Sequence, residues 1–402
     1  MKQKVVIIGH GYTSRLSIIR SLAAFDCEIT VIAIVFQNWF GRLIRFNVGK
    51  PIDCHSKYVN HLYYCSGKDH DTLIRLLLEK CVDVSQKVVI IPDSDFSAKV
   101  IDDNQERLKE HFLYPHINHA PGAVTHWMKK NVQKNLAVKV GMNVANGHVI
   151  SVKDKTYTIP GNLNYPCFTK PLATIGGGKQ FLKRCDNEKE LLNVLDAVGT
   201  HLDAEMLVEE FKTIDKEYAV VGFSDGKNVV IPGVIEFVAN SKSHFGVAKE
   251  GMVKPAIGFE VIISQFKEFV RKIGFCGLFD IDFYDSNGKL FFGEMNLRFG
   301  ASGYAVTKMG VNLPVMMVKH LSSMDYYEIN QSVTASATYV NERMCIDDWC
   351  YNYITESECQ GMIQNADIKF VYDDDDPGPQ IALERQMKLL RIKRTLKKWL
   401  KK

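Results

Sequence analysis

Two neighbouring segments in the second half of the chain alternate polar and apolar residues as strands do. In residues 279–283 two aspartates alternate with Phe, Ile and Phe, and in residues 290–298 the polar positions again fall two apart. Side chains two apart in a strand point to the same face of a sheet. The polar positions are Asp280, Asp282, Glu294, Asn296 and Arg298. The pattern predicts a hairpin that gathers carboxylates, an amide oxygen and a guanidinium on one surface.

The turn between these strands decides whether the acids face each other. Asn287-Gly288 is a strong hairpin signal. A two-residue turn would set Asp282 opposite Gly293, and its carboxylate would then lie on the other face from Glu294. We therefore predict an odd-length loop or a bulge at the turn, which sets Asp282 opposite Glu294. That arrangement suits a hard divalent cation carrying phosphates, and the alternative is an acid-rich hairpin with a solvated face.

Composition narrows the class of protein. The chain has 402 residues, of which 46% are hydrophobic and 24% charged, enough for two or three domains. The net charge of +4 is small and comes from the basic C-terminal tail, so nucleic-acid binding is not predicted. Ten cysteines are scattered without a Cys-x-x-Cys pair, which favours a reducing compartment. No run approaches the roughly 20 apolar residues that span a bilayer. These features predict a soluble, cytoplasmic protein.

The first part of the chain has the pattern of a doubly wound α/β domain. Residues 5–115 alternate buried-type strands with helices. The first turn, Gly9-His10-Gly11, begins like a dinucleotide fingerprint, but Ser14 stands at the third glycine position and no acid ends the second strand. A dehydrogenase is therefore disfavoured, although a glycine turn opening a helix can still bind an anion. Asp93-Ser94-Asp95 follows a parallel-type strand, where ligands usually bind.

The middle of the chain contains lysines in unusual settings. Lys170 stands in an apolar strand just before the loop Gly176-Gly177-Gly178, whose backbone could approach phosphate oxygens. A lysine in such a strand calls for an anionic partner, unless it is an edge residue with its tip in water. Lys249 and Lys254 are predicted to lie in a loop near a cleft, where they could contact a phosphate or an acidic substrate. From residue 206 to 296 the pattern predicts an antiparallel sheet.

Several of these motifs together resemble a known family. The matching residues, in chain order, are Gly9-His10-Gly11-Tyr12, Ile91-Pro92-Asp93-Ser94-Asp95, Met128-Lys129-Lys130, Phe168-Thr169-Lys170-Pro171, Glu209-Glu210-Phe211, Glu217, Asp282, Glu294, Asn296 and Arg298. The chain resembles ATP-grasp enzymes, in particular the carboxylate–amine ligase branch that includes D-aspartate ligases and relatives of the carbamoyl phosphate synthase large subunit. The resemblance covers roughly residues 1 to 320.

The resemblance implies a fold of α/β plus α+β type. It implies a Rossmann-like N-terminal domain over 1–120, a small lobe with the glycine loop over 121–205, a large lobe with the metal site over 206–325, and a C-terminal extension over 326–402.

The resemblance also implies roles for individual residues. ATP would be bound by Lys130, Lys170, Gly176, Gly177, Gly178, Glu209, Glu210, Phe211 and Glu217, and one or two Mg²⁺ ions, or Mn²⁺, by Asp282, Glu294 and Asn296. Lys130 and Lys134 both remain open as the α-phosphate contact. Arg298 and Lys254 are the predicted catalytic residues. The implied reaction joins a small-molecule carboxylate to an amine through an acyl phosphate, with D-aspartate as one amine candidate for a cell-wall or surface-polymer precursor. Another nucleophile, a carboxylation, or a nucleotide-binding module without turnover are the alternatives, and a homodimer is left open.

The C-terminus differs in kind from the rest. Residues 383–402 place Leu389, Ile392, Leu396 and Trp399 at helical spacing among many lysines and arginines. A basic amphipathic helix of this type is predicted either to lie on an anionic membrane surface or to pack its apolar stripe on the protein body. The first alternative predicts peripheral attachment at the inner face of the membrane.

Overall fold

The fold is described by a computed structural model that covers residues 2–35, 50–67, 69–152, 157–172, 179–199, 205–244 and 246–399, with side chains described as far as residue 389. Within these residues the strands form three sheets. We call them the parallel sheet, the lid sheet and the main sheet.

The parallel sheet occupies the N-terminal part of the chain. Its strands, in spatial order, are Val59–Ser66, Cys27–Val35, Gln3–Gly9, Val88–Pro92 and Phe112–Leu113. The accompanying helices are Tyr12–Leu22, His70–Lys80, Asp95–Asp103 and Gln105–Leu108. All strand pairs described are parallel, as crossover helices require. The predicted doubly wound α/β pattern is confirmed.

The first glycine turn is held by a buried group of charges. Asp93 accepts a hydrogen bond from the backbone N–H of His10 at 3.1 Å, and a Cβ on Gly9 would fall 1.5 Å from the same carboxylate oxygen. Arg15 binds Asp53 through two nitrogens, at 2.5 and 3.0 Å, and also reaches the carbonyl of Gly9. The turn is therefore fixed against the end of the neighbouring strand.

The lid sheet is small and antiparallel. Its strands, in spatial order, are Gly147–Ser151, Glu205–Glu210, Cys167–Pro171 and Lys183–Cys185. The helix Glu188–Gly199 packs on it, and the helices that precede it in the chain are Ala123–Trp127 and Lys130–Lys139. Apolar residues from the helix Glu188–Gly199 and the strands pack into one core.

The main sheet carries most of the remaining chain. Its strands, in spatial order, are Lys289–Asn296, Phe275–Ser286, Lys216–Asp225, Val234–Asn240, Ala248–Lys254, Ala337–Val340 and Ile368–Lys369, with Val229–Val230 and His116–Ile117 paired at the side. The helix Glu260–Ile273 packs on one face, which we call the outer face. The opposite face, called the inner face, meets the helices Gly303–Lys308 and Leu313–Leu321 and the N-terminal domain.

The C-terminal region is built into this arrangement. It contributes strands Ala337–Val340 and Ile368–Lys369 to the main sheet. Its helices are Glu342–Cys350, Glu356–Asn365 and Gly378–Trp399. The last helix starts on the protein body, with Ala382 and Leu383 buried in the core. No helix in the described part of the chain is both long and apolar enough to cross a bilayer.

One buried carboxylate ties the C-terminal region to a loop of the main sheet. Asp348 accepts hydrogen bonds from the hydroxyls of Ser241 and Ser243 at 2.8 and 2.7 Å and from the backbone N–H groups of Lys242 and Ser243. It also forms an ion pair with Lys249 at 3.1 Å. The loop between strands Val234–Asn240 and Ala248–Lys254 is therefore anchored by a side chain about a hundred residues away.

Candidate functional site

The hairpin brings the predicted acids together by a route that differs from our expectation. Asp282 pairs with Glu294 in the strand register, as predicted. The turn, however, has two residues, because Ser286 pairs with Lys289. Asn287 and Gly288 have φ values of 53° and 72°, which a turn of the I′ type requires. The prediction of an odd-length loop or a bulge at the turn is therefore wrong.

A bulge farther along the hairpin corrects the register. The register shifts between the pairs Phe283–Phe292 and Asp282–Glu294, where Gly293 is the extra residue. A Cβ on Gly293 would lie 2.8 Å from the carbonyl oxygen of Asp282, so the close approach of the strands requires glycine. The bulge brings both acids to the inner face while Phe283 and Phe292 remain in the outer-face core.

The polar set on the inner face is connected by ion pairs and hydrogen bonds. Lys130 contacts Glu294 at 2.5 Å, and Asn296 donates to Asp282 at 3.4 Å. Arg298 lies 3.3 Å from Asp95 of the N-terminal domain. The site thus lies where the hairpin, the helix carrying Lys130 and the N-terminal domain meet.

The charges of the two facing acids respond differently to this setting. Burial raises the pKa of Asp282 well above its ordinary value, and the nearby carboxylates of Asp280 and Glu294 raise it further. Burial would also raise the pKa of Glu294, but Lys130, Lys170 and Arg298 outweigh it and hold the pKa below the ordinary value. A cation placed between the two carboxylates would relieve their repulsion.

The donor set fits a hard divalent cation that also binds a ligand. Asp282, Glu294 and the amide oxygen of Asn296 are the oxygen donors that Mg²⁺ and Mn²⁺ accept. In the described part of the chain no group of three His, Cys, Asp or Glu side chains is arranged around a metal position. A cation at this hairpin would therefore complete its coordination with water or with oxygens of a bound phosphate.

The helix Lys130–Lys139 is held against the hairpin by one glutamine. The side chain of Gln133 accepts a hydrogen bond from the N–H of Met295 at 2.8 Å and donates one to its carbonyl at 2.7 Å. Gln133 is buried. It provides hydrogen-bond partners for the backbone N–H and carbonyl of Met295, next to Glu294, on the edge of the strand Lys289–Asn296 that no other strand pairs with among the described residues. Sequence analysis missed this residue, because a glutamine on a helix carries no signal of the strand it will bind.

This contact makes a direct prediction about stability. Gln133→Leu should lower the free energy of unfolding by about 1–3 kcal/mol, because the two backbone groups of Met295 lose buried partners. It should also weaken ATP–Mg²⁺ binding by releasing the helix that carries Lys130. Urea unfolding and nucleotide titration would measure the two effects. Gln265→Leu is the control, since exposed Gln265 makes one bond to the carbonyl of Gly141; equal effects of both substitutions would contradict the prediction.

Three lysines converge on one face of the lid sheet. Lys170 forms an ion pair with Glu209 at 2.8 Å, and Lys134 contacts the same carboxylate. Burial and the neighbouring lysines lower the pKa of Lys134 to about 7. Burial is also the main reason that the pKa of Lys170 falls to about 8, against the opposing effect of Glu294. Since Lys130 adds a third cation, the group has an excess of positive charge that a polyphosphate would neutralise.

The segment Glu209-Glu210-Phe211, predicted to bind ATP, has several of its polar groups already bonded within the protein. Glu209 is buried and is engaged by the two lysines. The backbone N–H of Glu210 donates to Asn146 and that of Phe211 to Pro166, at 2.8 and 3.0 Å. These N–H groups therefore already have partners within the protein.

Glu217 lies on the inner face of the main sheet, as do the predicted metal ligands Asp282 and Glu294. It stands two residues from Ala219, which pairs directly with Asp282. Its charge contributes to the raised pKa of Asp282, and its carboxylate accepts a hydrogen bond from Asn240. The structure thus groups Glu217 with the hairpin acids.

Lys254 does not reach this site. Residues 248–254 form a strand, where we predicted a loop. Val253 continues the inner-face row of Ala219 and Ile235, so the next residue, Lys254, points to the outer face and contacts Glu236. Lys249 is buried against Asp348. The loop predicted for these two lysines is therefore wrong, and their ion-pair partners are Asp348 and Glu236 rather than the hairpin acids. The loop Gly176-Gly177-Gly178 lies outside the described residues.

Comparison with known proteins supports this arrangement. Residues 135–313 match the family model of the ATP-grasp domain, a span that starts just after Lys134 and includes Lys170 and the hairpin.

Solved structures give the same fold over most of the chain. An N5-carboxyaminoimidazole synthetase from Staphylococcus aureus complexed with ADP matches 89% of this chain and 87% of its own at 16% identity and a TM-score of 0.61. An L-amino acid ligase from Bacillus licheniformis matches 84% of this chain and 80% of its own at 15% identity and a TM-score of 0.59. The biotin carboxylase domain of a 2-oxoglutarate carboxylase from Hydrogenobacter thermophilus, in complex with MgADP, ADP and bicarbonate, matches 84% and 74% at 16% identity and a TM-score of 0.61. This chain therefore contains a region, residues 135–313, that matches the ATP-grasp domain, and it shares its overall fold with these enzymes.

Proposed function

We propose that the protein is an ATP- and Mg²⁺-dependent ligase that joins a carboxylate to an amine through an acyl phosphate. The observation that carries the proposal is the facing of Asp282 and Glu294 on the inner face, with Lys130 in contact with Glu294 and Lys170 close enough to affect its pKa. Carboxylates beneath lysines form a site for a metal-bound polyphosphate.

ATP would lie between the lid sheet and the inner face. The apolar end of that space has Phe168 and Phe211 with ring centroids 6.4 Å apart, a suitable surface for a purine. Glu217 would accept the ribose hydroxyls. Lys130 or Lys134, with Lys170, would neutralise the phosphates, and the choice between Lys130 and Lys134 remains a prediction. The roles predicted for Gly176-Gly177-Gly178 and for Glu209, Glu210 and Phe211 remain predictions also.

The reaction would proceed in two steps. In the first, a substrate carboxylate oxygen attacks the γ-phosphorus, the bond to the β-phosphate oxygen breaks, and ADP leaves. In the second, the amine nitrogen attacks the acyl carbon, the bond to the phosphate oxygen breaks, and phosphate leaves with the proton that nitrogen loses. Bound Mg²⁺ offsets the charge on the phosphates. Arg298 would stabilise the acyl phosphate and the oxyanion formed from it.

ADP release with ATP and Mg²⁺ across a panel of carboxylates and amines would test the proposal. Ligation requires that ADP forms only when both a carboxylate and an amine are present. ADP formation with bicarbonate in place of the carboxylate, or with a thiol in place of the amine, would favour another reaction of the same site. Tight nucleotide binding without turnover on any panel would indicate a binding module and would overturn the ligase assignment.

The two kinds of substrate remain a matter of prediction. The L-amino acid ligase among the similar structures favours an amino acid as one of them. D-aspartate, joined to a cell-wall or surface-polymer precursor, is the amine candidate that the sequence resemblance suggests. Adding D-aspartate and L-aspartate separately to the panel would compare the two enantiomers directly.

Peripheral membrane contact through the C-terminal helix is a separate prediction. The helix packs on the body through buried Ala382 and Leu383 and partly buried Met387, and residues 390–402 are rich in lysine and arginine. Each basic residue near an anionic surface contributes about 1 kcal/mol. The full chain should sediment with phosphatidylserine-containing vesicles more than a form ending at Leu389, which keeps the buried start of the helix. Equal sedimentation of both forms would count against membrane contact.

A further inference from the structure

One acid on the inner face has no part in the nucleotide site described above. Asp280 pairs with Asn296, two pairs along from the facing acids Asp282 and Glu294. Side chains two residues apart on a strand stand roughly 7 Å apart. Asp280 therefore lies beside the metal-type acids, displaced toward Arg298 and the N-terminal domain.

The carboxylate of Asp280 is buried and pressed against the backbone. It is 8% exposed, and a Cβ on Gly300 would fall 1.9 Å from its Oδ2. Its Oδ1 has no hydrogen-bond partner among the residues that the structure describes. A buried carboxylate oxygen without a donor is costly unless a ligand supplies one.

A second buried polar atom lies within electrostatic reach of Asp280. The hydroxyl of Tyr339, a residue 1% exposed, also has no partner within the described residues. The charge of Asp280 contributes to the raised pKa of this hydroxyl. The ring of Tyr339 lies across Gly251, on the same inner face of the main sheet. The inner face of the main sheet thus contains a buried acceptor and a buried hydroxyl that no described residue satisfies.

The other charges of the site already have counterparts. Glu294 has Lys130, Arg298 has Asp95, and Asp282 faces Glu294 across the predicted cation position. Within the described part of the chain Asp280 forms no ion pair. Asp280 lies on the side of Arg298, whose charge acts on it without forming an ion pair and which is proposed to stabilise the acyl phosphate.

We propose that Asp280 binds the amino group of the second substrate, so that this substrate is a primary amine, an amino acid included. The assignment rests on the proposed ligase function. A carboxylate binds an N–H donor more strongly than a neutral acceptor does. Asp280 would hold the incoming ammonium group, which loses one proton to water and so frees the nitrogen lone pair for attack on the acyl carbon, while Tyr339 would contribute its hydroxyl to the same substrate.

The substitution Asp280→Asn tests this role when two nucleophiles are compared. Hydroxylamine intercepts an acyl phosphate as a hydroxamate and is small and uncharged near neutral pH, so it does not need an ammonium-binding carboxylate. The amines would be the standard amino acids, D-alanine, D-aspartate and ethanolamine, each with the carboxylate panel. We expect unchanged hydroxamate formation and an amine KM raised about tenfold to a hundredfold. Tyr339→Phe should raise the same KM by a smaller factor.

Each other outcome has a defined meaning. If Asp280→Asn lowers hydroxamate and amide formation equally, or raises the Mg²⁺ requirement of both, Asp280 serves the phosphoryl step and the inference is overturned. The inference is also overturned if Asp280→Asn leaves the amine KM unchanged. It is overturned as well if the wild-type enzyme forms hydroxamate but makes no amide with any amine of the panel. If the wild type forms no hydroxamate with any carboxylate, the ligase proposal itself fails. Asp285→Asn, at the far end of the same strand, is the control, and thermal melting would check that each variant folds.

Discussion

Replacing Glu294 by Gln should reduce ADP formation by about a hundredfold to a thousandfold. The substitution keeps the size of the side chain but removes the charge that faces Asp282 and binds Lys130. A cation at the hairpin would lose one of its two carboxylates, and Lys130 would lose its partner. Both losses weaken the stabilisation of charge during phosphoryl transfer.

The effect can be measured before the substrates are known. Thermal melting with and without ATP–Mg²⁺ reports nucleotide binding, and Mn²⁺ titration reports the cation site. Glu268→Gln is a matched control, because Glu268 lies on the surface of the helix Glu260–Ile273 and contacts Arg271. If Glu294→Gln binds Mn²⁺ and nucleotide as the wild type does, the metal assignment is wrong.

Replacing Asp348 by Asn should lower the free energy of unfolding by about 3–5 kcal/mol. The carboxylate is buried, it pairs with Lys249, and it accepts four hydrogen bonds from the loop at residues 241–243. The substitution leaves the buried ammonium of Lys249 without a counter-charge. Urea unfolding would measure the loss, with Asp26→Asn as the control, since Asp26 forms an exposed pair with Lys2.

This effect should depend on pH in a defined direction. Burial would raise the pKa of Asp348, but the backbone and serine donors outweigh it and hold the pKa well below its ordinary value. A group with a lowered folded-state pKa contributes stability above its unfolded pKa of about 4, and the contribution disappears as pH falls through the folded pKa. The difference between wild type and Asp348→Asn should therefore be constant near neutral pH and shrink below pH of about 4. A difference that grows in acid would refute this account.

The polar face of the hairpin could be predicted from the sequence because strand alternation is a local property. Asp282, Glu294, Asn296 and Arg298 lie on one face, as the spacing indicates. The route to that register could not be predicted. Asn287-Gly288 signals a two-residue turn, and the compensating bulge at Gly293 depends on its close approach to the backbone of Asp282 on the opposite strand.

Other parts of the site depend on contacts between distant segments. Gln133 binds a strand about 160 residues away, and no periodicity in its own helix indicates that partner. The sequence predicts a loop around Lys254, yet residues 248–254 form a strand that pairs with Ala337–Val340. The sequence places Asp280 on the acid face. Its separate role from Asp282 and Glu294 depends on its contacts with distant residues such as Gly300, which the sequence does not indicate.

The strand Ala337–Val340 also limits how the protein can be divided. It occupies one edge of the strand Ala248–Lys254, and His116–Ile117 pairs with the start of the strand Phe275–Ser286. A fragment cut to residues 135–313 would lose both neighbours and expose unpaired backbone along the sheet. Unpaired edge strands form hydrogen bonds with strands of other molecules, which leads to aggregation. The ATP-grasp domain is thus a segment of sequence that is not an independent body, and its recombinant production requires both flanking regions.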